Sequence, residues 1–465
     1  MKIIVLNGSP KGDLSVTMQY ILYIQKKFPQ HEFKILNVAQ QIKTLEKNQE
    51  KFEAVIKEIQ TSDGVIWGFP LYVMLVASQY KRFIELIFEK KDVNAFKNKY
   101  ASLVCTSIHF YDHTAINYIH AISEDLEMKF VGLFSADMND LMNKEQRKNL
   151  ISFAEDFFDT IENKLVVSKR FPPLKLRNFE YNPSEILNDK EKIKINGKKI
   201  LVLTDYTDEN TNIAKMVKTL QNCFSDKIEV INIYDVDIKG GCLGCIQCGY
   251  DNQCVYKDKD GFTVFYHEKL RTADVYIYAL TIKDRYFSSR LKMVWDRSFF
   301  NGHVPTVIGK QYGYIVSGPI SQIPNLREII CAMIEISDCN LVDIITDEYY
   351  DSQTIDLMIY SLAKRLINNS NSDYISPGTF LAVGGKKLFR DAIYGRMRFV
   401  FQADHRYYEE HGLYDFPQDD EQAKKMNEMF IPLMERDEKF RKAFYTRATT
   451  EMIKPLQSIV KDPKK

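Results

Sequence analysis

Four of the eight cysteines in this chain of 465 residues lie within thirteen positions, in the segment GCLGCIQCGYDNQC at residues 241–254. Their spacing is Cys242-x2-Cys245-x2-Cys248-x5-Cys254. Three glycines beside and between them let a short chain wrap around one face of a metal centre, because glycine adopts backbone conformations that other residues avoid. The fourth cysteine follows a polar turn and completes a set of four thiols. The segment therefore predicts a metal centre with four cysteine ligands.

The nature of that centre has more than one interpretation. Three cysteines at x2 spacing followed by a fourth are typical of ligands to a [4Fe–4S] cluster. A zinc ion bound by four thiolates is the main alternative, although structural zinc sites more often use two well-separated pairs. A disulfide fits a reducing compartment less well, and four closely spaced free thiols without a metal would oxidise readily. We expect a [4Fe–4S] cluster.

A second candidate site lies near the N-terminus, where the segment NGSPKGDLSVT at residues 7–17 follows an apolar strand and opens a helix. Ser9, Ser15 and Thr17 place hydroxyls around the free amides of a helix N-terminus, where the helix dipole also favours a phosphate. The spacing fits neither GxGxxG nor GxxxxGK[ST]. A plain turn with Ser15 as the N-cap residue is the alternative.

Both candidate sites belong to a repeating pattern of short apolar segments and longer amphipathic ones, which is typical of parallel sheets with crossover helices. The predicted strands are residues 2–6, 33–38, 64–68, 100–106 and 130–134 in the first half, and residues 199–204, 228–233, 274–279, 312–317 and 340–345 in the second. The chain is therefore predicted to be an α/β protein with two tandem, doubly wound, five-stranded parallel sheets.

The two halves also align in sequence. Residues 2–6 (KIIVL) match residues 199–203 (KILVL) at an offset of 197, and residues 78–85 match residues 289–296 at an offset of 211. The offset grows by 14 between these points, which is nearly the length of the cysteine segment. We therefore expect a duplication in which the cysteine segment is an insertion in the second copy alone.

These patterns predict a first domain at residues 1–165, a linker at 166–198, a second domain at 199–370 and a helical C-terminal extension at 371–465. Proline, asparagine and charge replace hydrophobic periodicity in the linker. Residues 388–407 of the extension are rich in arginine and aromatic side chains, and an amphipathic helix packed on the two sheet domains is the favoured interpretation.

Composition narrows the classes of function. Lys and Arg total 63 against 62 for Asp and Glu, so no overall charge indicates binding to nucleic acid or to an anionic membrane. No apolar run is long enough to span a membrane, and the N-terminus lacks the pattern of a signal peptide. We expect a cytoplasmic protein, whose reduced thiols are available for metal or redox chemistry.

The loops after the first, third and fourth strands resemble those of the NAD(P)H-dependent FMN reductase family, which has a flavodoxin-like fold. The segment GSPKGDLSVT is similar to the family's phosphate loop, and GFPLYV at residues 68–73 is similar to its flavin loop. The resemblance implies an FMN site at the carboxyl ends of the first copy's strands. It assigns Ser9, Ser15, Val16 and Thr17 to the phosphate, Pro70, Leu71, Tyr72 and Val73 to the ring and ribityl chain, and Thr106, Ser107 and His109 to the polar edge of the ring.

The cysteine segment is similar to the compact motif of iron–sulfur flavoproteins, a branch of the same family, in which it also follows the second strand. The resemblance implies electron transfer between a cluster and FMN, with the cluster near the flavin of a neighbouring subunit. We expect the tandem chain to reproduce that dimer, so that the cysteines of the second copy face the FMN of the first. Acidic residues (Asp205, Asp208 and Glu209) take the place of the phosphate loop in the second copy, so we expect weak flavin binding or none there.

Other functions stay open at this point. One is an NAD(P)H-dependent FMN or quinone reductase with a structural zinc ion in the cysteine segment. Another is a non-enzymatic redox sensor that acts through the C-terminal helices. The redox partner is expected to be NAD(P)H, ferredoxin or a small electron acceptor, and a homodimer is one possible assembly. His109 and His113 lack an evident third ligand, so we expect loop histidines and not a metal site.

Overall fold

The computed structural model describes residues 1–414 and 421–447. The chain divides into one compact unit that runs from Met1 to Glu410 and a second that begins at His411. The first unit contains two parallel sheets, their flanking helices and part of the C-terminal extension. The second unit is helical in most of the part that the structure describes.

The first sheet has the strand order β2-β1-β3-β4-β5, and all of its strand pairs are parallel. Its strands are β1 (Lys2–Asn7), β2 (Glu32–Leu36), β3 (Gly64–Pro70), β4 (Tyr100–Ser107) and β5 (Lys129–Asp137). Its helices are α1 (Val16–Lys27), α2 (Ile42–Lys47), α3 (Gln49–Gln60), α4 (Ser78–Glu89), α5 (Asp112–Asp125) and α6 (Lys144–Glu162). The chain reverses its direction of winding between β1 and β3, and ligands of such sheets bind in the crevice at that point.

The second sheet repeats this topology in the order β10-β9-β8-β6-β7, again with every pair parallel. Its strands are β6 (Ile200–Thr204), β7 (Glu229–Asn232), β8 (Val275–Thr281), β9 (Gln311–Ser317) and β10 (Asn340–Thr346). Its helices are α7 (Asn212–Cys223), α8 (Phe262–Phe265), α9 (Ser289–Ser298), α10 (Pro324–Ile336) and α11 (Ser352–Asn371). The predicted fold class is therefore confirmed.

Burial explains why the apolar segments form these strands. Every residue of the interior strand β4 is buried, as a strand covered on both faces by helices requires. The edge strand β2 exposes Glu32 and Lys34. Each of the ten predicted strands overlaps an observed one, because continuous apolar runs of strand length are the pattern of a buried parallel sheet.

The two sheets are joined through α4 and α9, which pack against each other. The backbone amide of Ser78 donates to the carboxylate of Asp296 (2.7 Å), and the amide of Ser289 donates to the carboxylate of Glu85 (2.5 Å). Ser78 and Ser289 are related by the sequence offset of 211, and so are Glu85 and Asp296. Such reciprocal contacts are typical of a two-fold interface between identical subunits. The duplicated chain thus contains an interface like that of a dimer.

Two buried lysines reinforce this interface. The Nζ atom of Lys81 donates to Glu85 (2.8 Å) and to Asp284 of the second copy (2.9 Å). The Nζ atom of Lys292 pairs with Asp296 and donates to the backbone oxygen of Tyr72 in the first copy (2.9 Å). Both lysine side chains are fully buried, so each needs these partners to offset its loss of hydration.

The predicted linker has no strand or α-helix and follows the surface of the second sheet domain. Its Tyr181 is fully buried, and the hydroxyl contacts Thr219 (2.8 Å) and donates to Asp356. The segment is therefore an ordered strap that packs into the second domain. The domain boundaries given above remain predictions.

The C-terminal extension continues with α12 (Phe380–Tyr394) and α13 (Gln402–Glu410), and the second unit contains α14 (Glu421–Arg436). The expected single helix over residues 388–407 is interrupted at Gly395–Phe401, and the segment contacts both sheet domains. Arg396 pairs with Asp137 of the first domain (2.7 Å), and Asp404 contacts Nδ1 of His303 in the second domain (2.8 Å). The extension was expected to be helical to residue 465, but residues 415–420 and 448–465 lie outside the described residues. None of the helices described has the length and apolarity of a membrane span.

We expect Lys292→Met to lower the free energy of unfolding by about 3–5 kcal/mol, because it leaves the buried Asp296 carboxylate without its cation. The measurement is a urea titration followed by circular dichroism. The matched control is Lys148→Met, which removes an exposed ion pair with Glu145 and should change stability by less than about 0.5 kcal/mol. Equal stability of the two variants would contradict the assigned interface.

Candidate functional site

The four clustered cysteines lie in the loop between β7 and α8, and all four line one cavity. The cavity is also lined by Tyr256, Asp296, Arg297, Phe299 and Phe300. None of the four cysteines forms a disulfide. The sequence-predicted set of thiols is thus brought together in one place, against helix α9 of the second domain.

Left-handed backbone positions allow the loop to wrap around this cavity. Gly244 has φ +63°, and Ile246, at which a short 3-10 turn begins, has φ 54°. The amide of Gly244 points back to the sulfur of Cys242 (3.4 Å). At Gly249 a β-carbon would collide with the backbone oxygen of Val400, so the C-terminal segment holds the loop closely from outside.

Burial sets the protonation of two of these thiols. Burial, together with the charges of the neighbouring cysteines, raises the pKa of Cys242 and that of Cys248 to about 12. Metal binding at the cavity must therefore displace thiol protons. Within residues 1–414 and 421–447, no group of three or more His, Cys, Asp or Glu side chains is arranged to hold a metal ion.

The predicted phosphate loop connects β1 to the N-terminus of α1. Ser9 is fully buried, and its hydroxyl accepts a hydrogen bond from the amide of Lys11 (3.2 Å). Ser15 occupies the N-cap position of α1, but its hydroxyl does not cap the helix. Val16 and Thr17 are the first two helical residues, whose amides have no partner within a helix. Ser15, Val16 and Thr17 thus remain available to an anion, whereas Ser9 stabilises the loop itself.

Two glycines in this loop have different structural roles. A β-carbon at Gly8 would collide with the ring of Tyr80, which packs across the loop and donates to the backbone of Leu6 (2.8 Å). Gly12 has the left-handed conformation, with φ +58°. Gly8 is therefore required by the close approach of an aromatic ring.

The predicted flavin loop begins at Pro70, the last residue of β3. The amide of Leu71 donates to the backbone of Thr106 (3.1 Å), which joins this loop to the third one. Tyr72 exchanges two backbone hydrogen bonds with Leu75 (2.8 and 2.9 Å) around a tight turn. Val73, with φ 37°, is one of the turn's two left-handed residues, a strained conformation for a β-branched side chain.

The third loop follows β4, and its polar residues form an ordered network. The hydroxyl of Thr106 contacts that of Thr17 (2.7 Å), which joins the third loop to the phosphate loop. The hydroxyl of Ser107 accepts from the amide of His109 (2.8 Å), and Nδ1 of His109 contacts Asp112 (2.9 Å). Burial raises the pKa of Asp112, but hydrogen bonds from Ser135 and His109 outweigh it, so the pKa is lowered overall.

The two histidines in and after this loop contact different carboxylates. His109 contacts Asp112, whereas Nε2 of His113 contacts Glu328 of the second copy (2.7 Å). About half of each histidine side chain is exposed. His109 lies in the loop as expected, whereas His113 lies in the first turn of α5, so the expectation of two loop histidines is wrong for His113.

The cysteine loop of the second copy packs directly on the predicted flavin site of the first. The side-chain amide of Gln79 donates to the backbone of Cys242 (2.9 Å). A β-carbon at Gly244 would collide with the hydroxyl of Tyr72 and lie 3.2 Å from Lys11 of the phosphate loop. Burial raises the pKa of Tyr72, and the charge of Cys242 and Cys245 raises it further. The cysteines and the loops predicted to bind FMN are therefore neighbours.

The corresponding loop of the second copy differs in the residue that replaces Gly8. Asp205 stands at that position, and its carboxylate accepts a hydrogen bond from the amide of Thr281 (3.1 Å). Leu291 stands where the first copy has Tyr80, so an acidic side chain has room. Burial raises the pKa of Asp205 to about 6. A carboxylate thus fills the part of the second copy that corresponds to the phosphate loop.

Several residues of the site were not singled out in the sequence. Gln79 and Lys292 contact the opposite copy, and Arg297 lines the cysteine cavity. All three lie in the segments that align at the offset of 211, or directly after them. The alignment of the two halves could have identified these residues from the sequence, because an interface between repeats involves the same segment of each copy.

Comparison with known proteins supports the resemblance of the first domain. Residues 1–136 match the model of the family described as NADPH-dependent FMN reductase. This match runs from β1 into β5 and so spans nearly all of the first sheet. No curated protein matches the chain.

Solved structures similar to part of this chain include three flavoproteins. FerB, a flavoenzyme NAD(P)H:(acceptor) oxidoreductase from Paracoccus denitrificans, is 19% identical, with 35% of this chain and 97% of that chain covered and a TM-score of 0.29. The general stress protein 14 from Treponema denticola, in complex with FMN, is 13% identical, with coverage of 35% and 99% and a TM-score of 0.27. An FMN-dependent NADH-azoreductase from Bacillus anthracis, also with FMN, is 11% identical, with the same coverage and TM-score.

We expect Gly244→Ala to destabilise the protein by about 1–3 kcal/mol more than Gly197→Ala, because the added methyl group collides with Tyr72. Gly197 is a matched control: it also has a left-handed φ, of +77°, but a β-carbon there would meet nothing within 4 Å. Tyr72→Phe should restore part of the stability in the double variant. The measurement is the urea midpoint of Gly244→Ala, Gly197→Ala, Tyr72→Phe and the double variant. An equal loss of stability at both glycines would contradict the contact between these loops.

Proposed function

We propose that this chain, whose first 136 residues match the NADPH-dependent FMN reductase family, is an iron–sulfur flavoprotein oxidoreductase. In this proposal the first domain binds FMN, and the cysteine loop of the second domain binds a [4Fe–4S] cluster. The observation that supports it most is the packing of the cysteine loop on Tyr72, within the predicted flavin loop. This contact between the two loops supports a proposal in which electrons pass between the two cofactors.

The residues of the first domain fit an FMN molecule. The free amides of Val16 and Thr17 and the hydroxyl of Ser15 suit the phosphate at the N-terminus of a twelve-residue helix. The turn at Tyr72 and Val73 suits one face of the ring, and Thr106, Ser107 and His109 suit its polar edge. FMN, when bound, supplies an acceptor of two electrons as hydride or of single electrons.

The residues of the cysteine loop fit a cluster. Cys242, Cys245, Cys248 and Cys254 line one cavity, and none of them forms a disulfide. A cube of four iron and four sulfur atoms takes one ligand at each iron corner, so four cysteine thiolates complete its ligand set. The cluster, when bound, supplies a one-electron carrier beside the flavin loop.

His109 is suited to hold a proton at the flavin edge. Asp112 accepts a hydrogen bond from Nδ1 of His109. This contact does not use the other ring nitrogen, Nε2, and about half of the His109 side chain is exposed. Ser135 donates to the same carboxylate (2.5 Å) and fixes its position. In this proposal Asp112 orients His109, whose Nε2 gives or takes the proton that accompanies reduction of a substrate.

Partners follow from this chemistry. NAD(P)H, ferredoxin or a small acceptor exchanges electrons with the flavin or the cluster, and a reducing compartment such as the cytoplasm keeps the thiols available. We propose that the second copy binds no flavin, because Asp205 fills the corresponding loop. A homodimer of this tandem chain is a further proposal about its assembly.

A redox sensor is a second candidate, because the C-terminal segment contacts the cysteine loop. The backbone of Val400 packs on Gly249, and Arg406 donates to the backbone of Tyr250 (2.7 Å). A change in the cluster would therefore reach α13 directly. In this candidate a protein partner reads the position of the segment, and loss of a bound partner after truncation at residue 370 would support it.

We expect anaerobically purified protein to contain about four iron and four sulfide ions per chain, with visible absorption beyond the flavin bands. Cys245→Ser should lose most of this iron because one corner of the cluster has no thiolate. The matched control is Cys331→Ser, a partly buried free thiol outside the cavity, which should keep the wild-type content. One zinc ion without sulfide would favour the zinc-containing reductase instead, and a preparation with no metal would contradict both.

We expect Ser15→Ala to weaken FMN binding about 10- to 100-fold, as loss of a hydrogen bond to a charged group does, with little change in stability. Asn143→Ala is the contrasting control, because the side chain of Asn143 does cap α6 through the amides of Glu145 and Gln146. It should cost about 1 kcal/mol of stability and leave FMN affinity unchanged. Calorimetric titration with FMN and urea unfolding measure the two effects, and unchanged affinity in Ser15→Ala would contradict the assigned phosphate site.

A further inference from the structure

Arg297 is a buried cation beside the cysteine cavity that no part of the proposed function uses. It lies on α9, its side chain is fully buried, and it lines the cavity together with the four cysteines. A buried guanidinium persists only where its charge and its donors find partners. The contacts of Arg297 therefore indicate its role.

Three of the five N–H groups of Arg297 have partners in the described structure. Nη1 donates to the backbone of Gly240 (3.0 Å) and to Asp260 (2.7 Å), and Nη2 donates to the other oxygen of Asp260 (3.0 Å). The Nε atom is buried and has no hydrogen-bond partner. One N–H of Nη2 and the N–H of Nε therefore have no hydrogen-bond partner in the described structure. A buried donor without a partner carries a free-energy cost.

Aromatic rings fix the plane of this guanidinium. Its carbon lies 4.1 Å from the centroid of Tyr256 and 5.0 Å from that of Phe262. The thiol of Cys254 is near enough to interact electrostatically with it. The bidentate pair with Asp260 and the ring contacts together hold the guanidinium rigidly beside this cysteine.

We infer that Arg297 is a positioning residue for the cluster: its remaining N–H groups donate to the sulfur atoms of the cluster or of its cysteine ligands, and thereby raise the cluster's reduction potential. The inference rests on the proposed function. Reduction adds negative charge to the cluster, and donors aimed at its sulfur atoms stabilise that charge. Asp260 partly neutralises the guanidinium, so the hydrogen bonds carry most of the effect.

The test is an anaerobic potentiometric titration of Arg297→Lys, followed by electron paramagnetic resonance of the reduced cluster. Lysine keeps a cation for Asp260 but loses the planar set of donors. We expect at least a tenfold lower ratio of reduced to oxidised cluster at a fixed potential, which is a shift of about 59 mV for one electron. An unchanged potential with a full complement of iron would overturn the inference and leave the proposed function intact.

The matched control is Arg290→Lys on the same helix. Arg290 donates to the backbones of Ile233 (2.9 Å) and Val236, outside the cavity, so its replacement should leave the potential unchanged. An equal shift in both variants would overturn the inference. Wild-type protein without iron and sulfide would instead overturn the proposed function, and the inference with it.

If Arg297→Lys does not fold, a measurement on the wild-type protein tests the same inference. Protein labelled with guanidino-¹⁵N arginine is reduced and studied by electron–nuclear double resonance. We expect a ¹⁵N coupling to the cluster, since Arg297 lines the cavity. Absence of that coupling would overturn the inference.

Discussion

The reciprocal contact between α4 and α9 is the constraint on which the rest of the structure depends. Lys81 and Lys292 are fully buried there, and each is satisfied by a carboxylate four residues along its own helix and by a group of the opposite copy. Two buried cations can persist in such a place only if both copies stay in one relative position. That position brings the loop of Cys242 against the turn at Tyr72, so the interface fixes the distance between the two candidate sites.

The duplication lets the two copies divide their tasks. The first copy keeps Gly8 beneath the ring of Tyr80 and leaves the N-terminus of α1 open to an anion. The second replaces that glycine with Asp205, whose carboxylate occupies the loop, and carries the cysteines instead. In a symmetric dimer each subunit would need both sites. Under the proposed function, a single chain with one site of each kind needs no second copy of either site.

Much of the fold could be predicted from the sequence, because apolar runs at strand length and a steady offset between the halves report burial directly. The convergence of four cysteines was also predictable from their spacing. The partners of Gln79, Lys292 and Arg297 were not, since they depend on how two domains dock, and no local pattern encodes that. The need for glycine at position 8 could not be predicted either, because the ring that contacts it belongs to Tyr80, more than seventy residues away in the sequence. Order in the linker rests on isolated buried residues such as Tyr181 and Ile193, which periodicity cannot reveal.

The most direct test of the central claim is a crystal structure of anaerobically prepared protein, with anomalous diffraction recorded at the iron edge. The account predicts an iron peak in the cavity lined by Cys242, Cys245, Cys248 and Cys254, with FMN density next to Tyr72 and none at Asp205. A peak at the zinc edge alone, or flavin density away from the turn at Tyr72, would contradict it.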